Sequence, residues 1–194
     1  IVTAGGEGKL LVAYDRNSGD MIWSGGDGRI GYSSPTLMTL AGVPQIVSFN
    51  GRSITSHHPG TGQVLWSHKW PGGQPNVMQP LQLPGDRVLA SSGYGVGAKL
   101  FAVRPGSADD LSVELVWESP RLKSKFANIV YHQGYVYGLD DGILVCLDPE
   151  TGQGQAHPDY TYGAHAIEVS VDTDTGEVKV LRSVAAPPHV PSLI

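Results

Sequence analysis

Short runs of alternating apolar and polar residues, typical of β-strands, recur along this chain at a regular interval. Four equivalent positions stand 43, 46 and 44 residues apart, namely Asp15, His58, Arg104 and Asp148. A period in the forties with several strands in each unit is typical of β-propeller blades. Because no stretch keeps a helical period, we expect an all-β fold with almost no helix.

Two columns of the aligned repeats lie on one face of a strand, because side chains two positions apart share a face. The first column is apolar and contains Leu11, Ile54, Leu100 and Leu144. The second is small and contains Ala13, Ser56, Ala102 and Cys146. We expect neighbouring blades to approach most closely at the small column. Cys146 is therefore predicted to be a buried small residue rather than a reactive thiol or metal ligand.

In each unit the strand that carries these columns is followed by the turn sequence Asp-x-x-Ser/Thr-Gly or by a partial match to it. A Trp comes four residues after the Gly in the first two units. Asp accepts backbone hydrogen bonds in turns, and Gly tolerates a positive φ, so this motif predicts a hairpin between the third and fourth strands. Each Trp can bury roughly 200 Å² between blades. The predicted structural repeat residues are Asp15, Gly19, Trp23, Gly62, Trp66, Trp117, Asp148 and Gly152.

An earlier pair of strands precedes this hairpin in the later units, which predicts four strands per blade. The predicted fold is a partial β-propeller of about 3.5 four-stranded antiparallel blades plus a C-terminal β-hairpin. The repeats span residues 1–153, with blades at about 1–24, 33–70, 78–119 and 126–153, and the first blade lacks its first strand. So few blades leave open edges, and we expect the natural protein to continue beyond both ends.

The last forty residues differ in character from the repeats. Ala156 stands where the repeat would place a Trp. Two alternating runs around an Asp-Thr-Asp-Thr-Gly loop predict a β-hairpin within residues 154–186. Residues 187–194 are rich in proline and are expected to form an extended tail.

Composition narrows the function classes. The 194 residues carry a net charge of −5 with no Lys/Arg cluster, which argues against nucleic-acid binding. No apolar run approaches the length of a membrane span. The single Cys146 excludes an internal disulfide.

The motif Ala-x-Asp-x-x-Ser/Thr-Gly-x-x-x-Trp, seen from Ala13 to Trp23, resembles the repeat of the PQQ-like β-propeller family over about residues 1–153. This resemblance implies the scaffold and leaves two branches open. One branch contains PQQ-dependent dehydrogenases, which hold PQQ and Ca²⁺ at the ring centre. The other contains cofactor-free, BamB-like propellers of the bacterial envelope.

The enzyme branch finds no support in particular residues. No adjacent cysteine pair is present, and no carboxylate or Asn matches a calcium-site motif. We therefore interpret the chain as a non-catalytic binding or scaffolding module without a cofactor, located in the periplasm or cell envelope. Protein partners are expected at the loops 25–32, 72–76, 93–97 and 121–125. The alternative is a fragment of a PQQ-dependent dehydrogenase that oxidises alcohols or sugars.

Residues 157–186 resemble a segment of the molybdenum-binding subunit of the xanthine dehydrogenase family, through Tyr162-Gly163-Ala164-His165 and the hairpin that follows. The molybdopterin-binding loops and the catalytic Glu region of that family are missing, so molybdenum chemistry cannot be carried over. Either a fused reading frame or a degenerate final blade would explain this segment.

Four other patterns hint at ligand sites, and each has a simpler interpretation. The Gly-rich stretches at 5–10 and 93–97 resemble phosphate and dinucleotide loops, but strands follow where a helix is required, so both are predicted to be turns. His157, Asp159 and His165 lack the spacing of a metal site. Residues 172–176 have too few ligands for an EF-hand loop.

Overall fold

The computed structural model describes residues 1–72, 75–106, 110–156 and 164–186. Within these ranges every regular element is a β-strand, so the predicted all-β class is confirmed. The chain divides into two compact units between residues 157 and 158.

Four antiparallel sheets follow one another in the first unit, and we call them blades 1 to 4. Blade 1 has three strands, β1 (Val2–Thr3), β2 (Leu11–Tyr14) and β3 (Met21–Gly25). Blade 2 contains β4 (Thr36–Leu40), β5 (Val43–Phe49), β6 (Ser53–His57) and β7 (Val64–Lys69). Blade 3 contains β8 (Leu81–Leu83), β9 (Arg87–Ser92), β10 (Gly97–Pro105) and β11 (Leu111–Ser119). Blade 4 contains β12 (Val130–His132), β13 (Tyr135–Asp140), β14 (Ile143–Leu147) and β15 (Gly154–Ala156).

Strand order within every blade follows chain order, the meander expected of a propeller blade. The fourth blade extends slightly further than the sequence suggests. Its last strand, β15, runs to Ala156, past the predicted end at residue 153. Pairing of Leu147 with Gly154 and of Cys146 with Gln155 continues the sheet even though no Trp is present.

The second unit contains the predicted C-terminal hairpin, which the structure confirms. Its strands are β16 (Ala164–Val171) and β17 (Val178–Ala186), which pair in antiparallel register. The Asp172 carboxylate accepts hydrogen bonds from the backbone N–H groups of Asp174 (2.9 Å) and Thr175 (3.0 Å), so this loop is a closed turn. The predicted tail at 187–194 lies outside the described residues.

The hydrophobic core lies between consecutive blades, in three clusters. Leu11, Ala13, Trp23 and Ile46 join blades 1 and 2. A larger cluster joins blades 2 and 3 and includes Phe49, Ile54, Trp66, Trp70 and Phe101. The third joins blades 3 and 4 and includes Leu89, Leu100, Leu122, Val136 and Val145.

Register shifts bring two tryptophans opposite the small column. A shift between Ala13 and Tyr14 pairs Ala13 with Trp23, and a shift between Ser56 and His57 pairs Ser56 with Trp66. Such a bulge re-aims a side chain relative to the sheet. In these two blades the small residue leaves room beside the indole. In blade 3 the register differs, because Trp117 pairs with Leu100 and Ala102 pairs with Glu114.

Candidate binding face

The repeat turns lie at one end of the blades and are held by their own Asp and Gly residues. The Asp15 carboxylate accepts from the backbone N–H groups of Asn17 (2.8 Å) and Ser18 (2.9 Å), and these hydrogen bonds lower the pKa of Asp15. Asp148 accepts in the same way from the N–H of Glu150 (2.7 Å). Gly19, Gly62 and Gly152 adopt positive φ angles of 77°, 74° and 67°.

Two of the predicted tryptophans pack on the turn of the following blade. The indole N–H of Trp23 donates to the Pro59 carbonyl oxygen at 2.9 Å, and that of Trp117 donates to the Pro149 carbonyl oxygen at 2.9 Å. Both rings lie directly against the backbone of a turn glycine, Gly62 for Trp23 and Gly152 for Trp117. These contacts fit the predicted structural role of the two tryptophans, which the mutations in the Discussion test.

Trp66 behaves differently although it occupies the same repeat position. Its indole N–H donates to Gln45 Oε1 at 2.7 Å, within its own blade. Gln45 Oε1 also accepts from the Ser56 hydroxyl at 2.7 Å. Trp66 is buried in the cluster between blades 2 and 3.

The opposite end of the blades gathers the predicted partner-binding loops. In a four-stranded meander, successive connections alternate between the two ends of the sheet. The links between blades therefore share one end with the turns between second and third strands. The loops 25–32, 93–97 and 121–125, together with the described part of 72–76, belong to this end, which we call the loop face.

Hydrogen bonds fasten the first two loops to blade 2. The N–H of Gly51 donates to the Arg29 carbonyl oxygen at 2.8 Å, and the N–H of Tyr32 donates to the Asn76 carbonyl oxygen at 2.7 Å. The Asn76 side-chain amide donates to the Asn50 carbonyl oxygen at 2.5 Å. Loops 25–32 and 72–76 thus meet over one turn of blade 2 in a defined arrangement.

The other two loops meet over blades 3 and 4. The Lys125 side chain packs on Gly93, and its Nζ lies 5.4 Å from the centre of the Tyr94 ring. Lys125 Nζ also lies 3.0 Å from Asp141 Oδ1, which lowers the pKa of the Asp141 carboxyl. Lys123 pairs with Asp140, and the hydrogen bond to that carboxylate raises the pKa of Lys123.

A cavity of about 600 Å³ opens on the loop face between blades 1 and 2. Residues from four separate connections line it, including Gly5, Gly6, Arg29, Ile30, Tyr32 and Arg52. From the sequence, Tyr32 was predicted to lie in a loop that binds protein partners, and residues 5–10 were predicted to form a turn. The connection between β1 and β2 is indeed a turn, but only the structure shows that it also walls this cavity.

Two further cavities continue the loop face. One of about 450 Å³ is lined by Pro71, Gly95, Lys99 and Pro120, so it joins the loops of blade 2 to those of blade 3. Another of about 260 Å³ lies between Tyr32 and Phe126, whose side chains are 73% and 76% exposed. Shared cavities and the contacts above therefore connect the described parts of these loops along the loop face.

The structure describes some of the other residues that were considered as candidate ligand sites. Residues 93–97 connect β9 to the start of β10, so no helix follows as a dinucleotide loop would require. His157 and Asp159 lie outside the described residues. Among the residues that are described, no group of three or more His, Cys, Asp and Glu is placed to hold a metal ion. The same part of the chain contains no helix long and apolar enough to cross a membrane.

Comparison with known proteins agrees with this architecture. The model of the family described as outer membrane protein assembly factor BamB matches residues 1–155. The chain belongs to this family. A solved structure of BamB from Moraxella catarrhalis is similar with a TM-score of 0.59 at 16% sequence identity, a likeness that shows the fold. No curated protein matches the chain.

That structural match covers 90% of this chain and 58% of the Moraxella protein. The chain thus spans little more than half the length of that BamB structure, and the partial propeller is confirmed as its fold. The family match ends at residue 155. The resemblance of residues 157–186 to a molybdenum-binding subunit therefore stays a prediction.

Proposed function

We propose that this chain is a non-catalytic, BamB-like propeller module that binds protein partners through the loop face. Residues 1–153 would supply the propeller segment, in blades at about 1–24, 33–70, 78–119 and 126–153, and residues 154–186 an added hairpin segment. Family membership supports an assembly role in the bacterial envelope, since the family is described as an outer membrane protein assembly factor. The module would work in the periplasm or cell envelope without a cofactor.

The continuity of the loop face is the observation that carries this proposal. Main-chain hydrogen bonds hold loop 25–32 on blade 2, so the surface is ordered before a partner arrives. Tyr32 and Phe126 present aromatic rings on it, and Arg29 and Arg52 add guanidinium groups. Tyrosine and arginine are enriched among the few residues that carry most of the binding energy at protein interfaces.

A site-specific crosslinking experiment tests the assignment. A photoreactive amino acid would replace Tyr32 or Tyr94 on the loop face, and Thr61 in the opposite turn would serve as the matched control. In a bacterial envelope preparation, we expect discrete protein adducts from positions 32 and 94 and none from position 61. Equal labelling from both ends would contradict the proposal.

A second measurement addresses catalysis directly. The purified chain would be incubated with PQQ, Ca²⁺ and a redox dye in the presence of alcohols or aldoses. We expect no oxidation above the rate without protein. Dye reduction that depends on the chain, PQQ and Ca²⁺ together would replace the scaffold assignment with that of a quinoprotein dehydrogenase.

A further inference from the structure

The cavity of about 600 Å³ on the loop face has the features of a binding groove for one kind of peptide. We call it the arginine groove, defined by Gly5, Gly6, Arg29, Ile30, Tyr32 and Arg52. Blades 1 and 2 supply its walls, and loop 25–32 supplies its floor. Its charge, its backbone and its apolar side chains each limit what can occupy it.

The two guanidinium groups of the groove have no carboxylate partner among the described residues. Two arginines elsewhere do have such a partner, since Arg87 lies 2.7 Å from Glu150 and Arg121 lies 3.6 Å from Asp140. The nearest carboxylate along the chain, Asp27, instead accepts a hydrogen bond from the Gly8 N–H at 2.6 Å. The positive charge of the groove is therefore available to an external acidic group.

The floor of the groove offers unused backbone donors. The N–H groups of the exposed residues Arg29 and Ile30 donate no hydrogen bond to any other residue that the structure describes. Both ends of this segment are nevertheless held, through the Arg29 carbonyl oxygen and the Tyr32 N–H. A fixed segment with open donors suits an extended peptide, because main-chain hydrogen bonds supply affinity when a strand is added.

Apolar surface lies between the charges. The side chains of Ile30 and Tyr32 are 44% and 73% exposed. Gly5 packs against Ile30, and a Cβ at position 5 would lie 3.0 Å from Ile30 Cγ2. The Ile30 side chain therefore occupies the space beside Gly5, whereas a Cβ on Gly6 would have no neighbour within 4 Å, so a ligand can approach the backbone at Gly6. The isoleucine and tyrosine can cover the apolar side chains of that ligand.

We propose that the arginine groove binds an extended, acidic segment of a protein partner. Carboxylates of that segment pair with Arg29 and Arg52, whose planar guanidinium groups match a carboxylate in two parallel hydrogen bonds. Its apolar residues alternate with the acidic ones and pack on Ile30 and Tyr32, since alternate side chains of an extended peptide point the same way. This inference rests on the proposed function only in taking a protein as the partner.

A labelled peptide tests the groove on the intact chain. The probe is a fluorescent nine-residue peptide in which Asp alternates with Leu and Phe, and binding is followed by fluorescence anisotropy. We expect saturable binding that weakens at least about tenfold in the R29Q/R52Q double variant. The affinity should also fall as salt rises from about 50 to 500 mM, because exposed charges are screened.

Matched controls separate the groove from general charge attraction. Arg16 lies in the turn at the opposite end and is also exposed, so R16Q should bind the peptide as the unmodified chain does. A peptide with Asn in place of each Asp should lose affinity as strongly as the double variant. Equal losses in R16Q and R29Q/R52Q, or equal binding of the Asn peptide, would overturn the proposal.

Hydrogen exchange tests whether the peptide forms hydrogen bonds with the backbone of the groove. Hydrogen exchange of the Arg29 and Ile30 amides should slow at least about tenfold when the peptide is bound, because those N–H groups become hydrogen-bonded. Unchanged exchange at saturation would overturn the strand-like binding mode. Displacement of the peptide by inorganic phosphate at low millimolar concentration would identify a simple anion site instead and would equally overturn the proposal.

The two proposals fail in distinguishable ways. If crosslinks from position 32 persist unchanged in R29Q/R52Q, the protein-binding function is supported, and the proposal that the groove binds an acidic segment is overturned. Peptide binding that needs both arginines, in a chain that forms no crosslinks from the loop face, would support the groove while contradicting the proposed function.

Discussion

The contacts between blades 1 and 2 and between blades 3 and 4 differ from the contact between blades 2 and 3. In the first two, a tryptophan lies flat on a turn glycine of the following blade and donates to a carbonyl oxygen there. In the third, Trp66 donates to Gln45 in its own blade. The same repeat residue thus serves two kinds of interface.

The difference depends on the connection between the last two strands of the blade that each tryptophan faces. Blades 2 and 4 present short Gly-containing turns at residues 58–63 and 148–153. The connection between β10 and β11 in blade 3 does not carry the Asp-x-x-Ser/Thr-Gly sequence, and at its described ends the Gly106 N–H donates to the Asp110 carbonyl oxygen. Aromatic packing replaces the turn contact, because the Phe101 ring of blade 3 lies 4.8 Å from the His68 ring and 6.4 Å from the Trp70 ring of blade 2. A repeat motif therefore predicts a residue's position better than its partner.

The largest effect is expected in the aromatic interface between blades 2 and 3. Phe101 is fully buried there, so Phe101→Ala should lower the free energy of unfolding by about 3–5 kcal/mol. Phe126→Ala is the matched control, because that ring is 76% exposed and should cost less than about 0.5 kcal/mol. Urea unfolding followed by tryptophan fluorescence measures both, and similar losses would show that the interface contributes no more than the surface.

The next largest effect isolates the contact of a tryptophan with a turn. Gly62 and Gly19 occupy equivalent turns with φ angles of 74° and 77°, but only Gly62 faces a Trp ring, and a Cβ at position 62 would overlap the Trp23 ring. Gly19→Ala should cost about 1–2 kcal/mol for the left-handed backbone alone. Gly62→Ala should cost about 1–3 kcal/mol more, because Trp23 must move. Thermal unfolding that gives equal losses would contradict packing of Trp23 on the turn.

A smaller effect is expected from the hydrogen bonds of the third interface. Gln45→Leu leaves the buried Trp66 N–H and the Ser56 hydroxyl without their acceptor and should cost about 1–3 kcal/mol. In a double-mutant cycle with Trp66→Phe, the double variant should lose less unfolding free energy than the sum of the two single losses. Full additivity in urea unfolding would mean that Gln45 and Trp66 do not act together.

The smallest effect depends on pH and concerns His57, which packs against Gly26 of blade 1. Its Nδ1–H donates to the Gly62 carbonyl oxygen (3.0 Å) and its Nε2 accepts from the Thr55 hydroxyl (2.9 Å). Burial lowers the pKa of His57 below its ordinary value of 6.5. Below pH 6.5 His57 becomes protonated in the unfolded chain but stays neutral in the native chain. The free energy of unfolding should therefore fall by up to about 1.4 kcal/mol per pH unit as the pH is lowered.

Unfolding free energies measured from about pH 7.5 down to pH 5 would show this slope. His57→Gln should flatten it, although the variant is itself less stable. His58→Gln, which changes an exposed neighbour, should keep the slope of the unmodified chain. A slope that survives in His57→Gln would assign the pH dependence to other groups.

Much of the fold could be predicted because its determinants are local. The Asp15 and Asp148 turns close through hydrogen bonds to residues two or three positions away, so five or six residues specify them. Strand alternation also predicted the inward column of the first three repeats, since Leu11, Ile54 and Leu100 are fully buried. The prediction was wrong for blade 4, where Leu144 is 56% exposed, Cys146 is only half-buried, and Val145 and Leu147 are buried instead. The hairpin formed by β16 and β17 follows from the same local rules.

The candidate site was only partly predictable, because its parts come from distant connections. Tyr32 belonged to a predicted partner loop, but Gly5, Gly6 and Arg52 reach the same cavity from other hairpins. No residue spacing connects position 5 with position 52. A surplus of glycine in the connections was the one available sign of close backbone approach.

By itself the sequence determined the strands, their turns and the repeated sheets, since these depend on side-chain alternation and on backbone hydrogen bonds between near neighbours. Tertiary structure alone decided that Trp23 and Trp66 have different partners and that Arg29 and Arg52 open onto one groove. Those outcomes depend on which surfaces of successive blades come together, and the packing of surfaces far apart in the chain is not encoded in any single repeat.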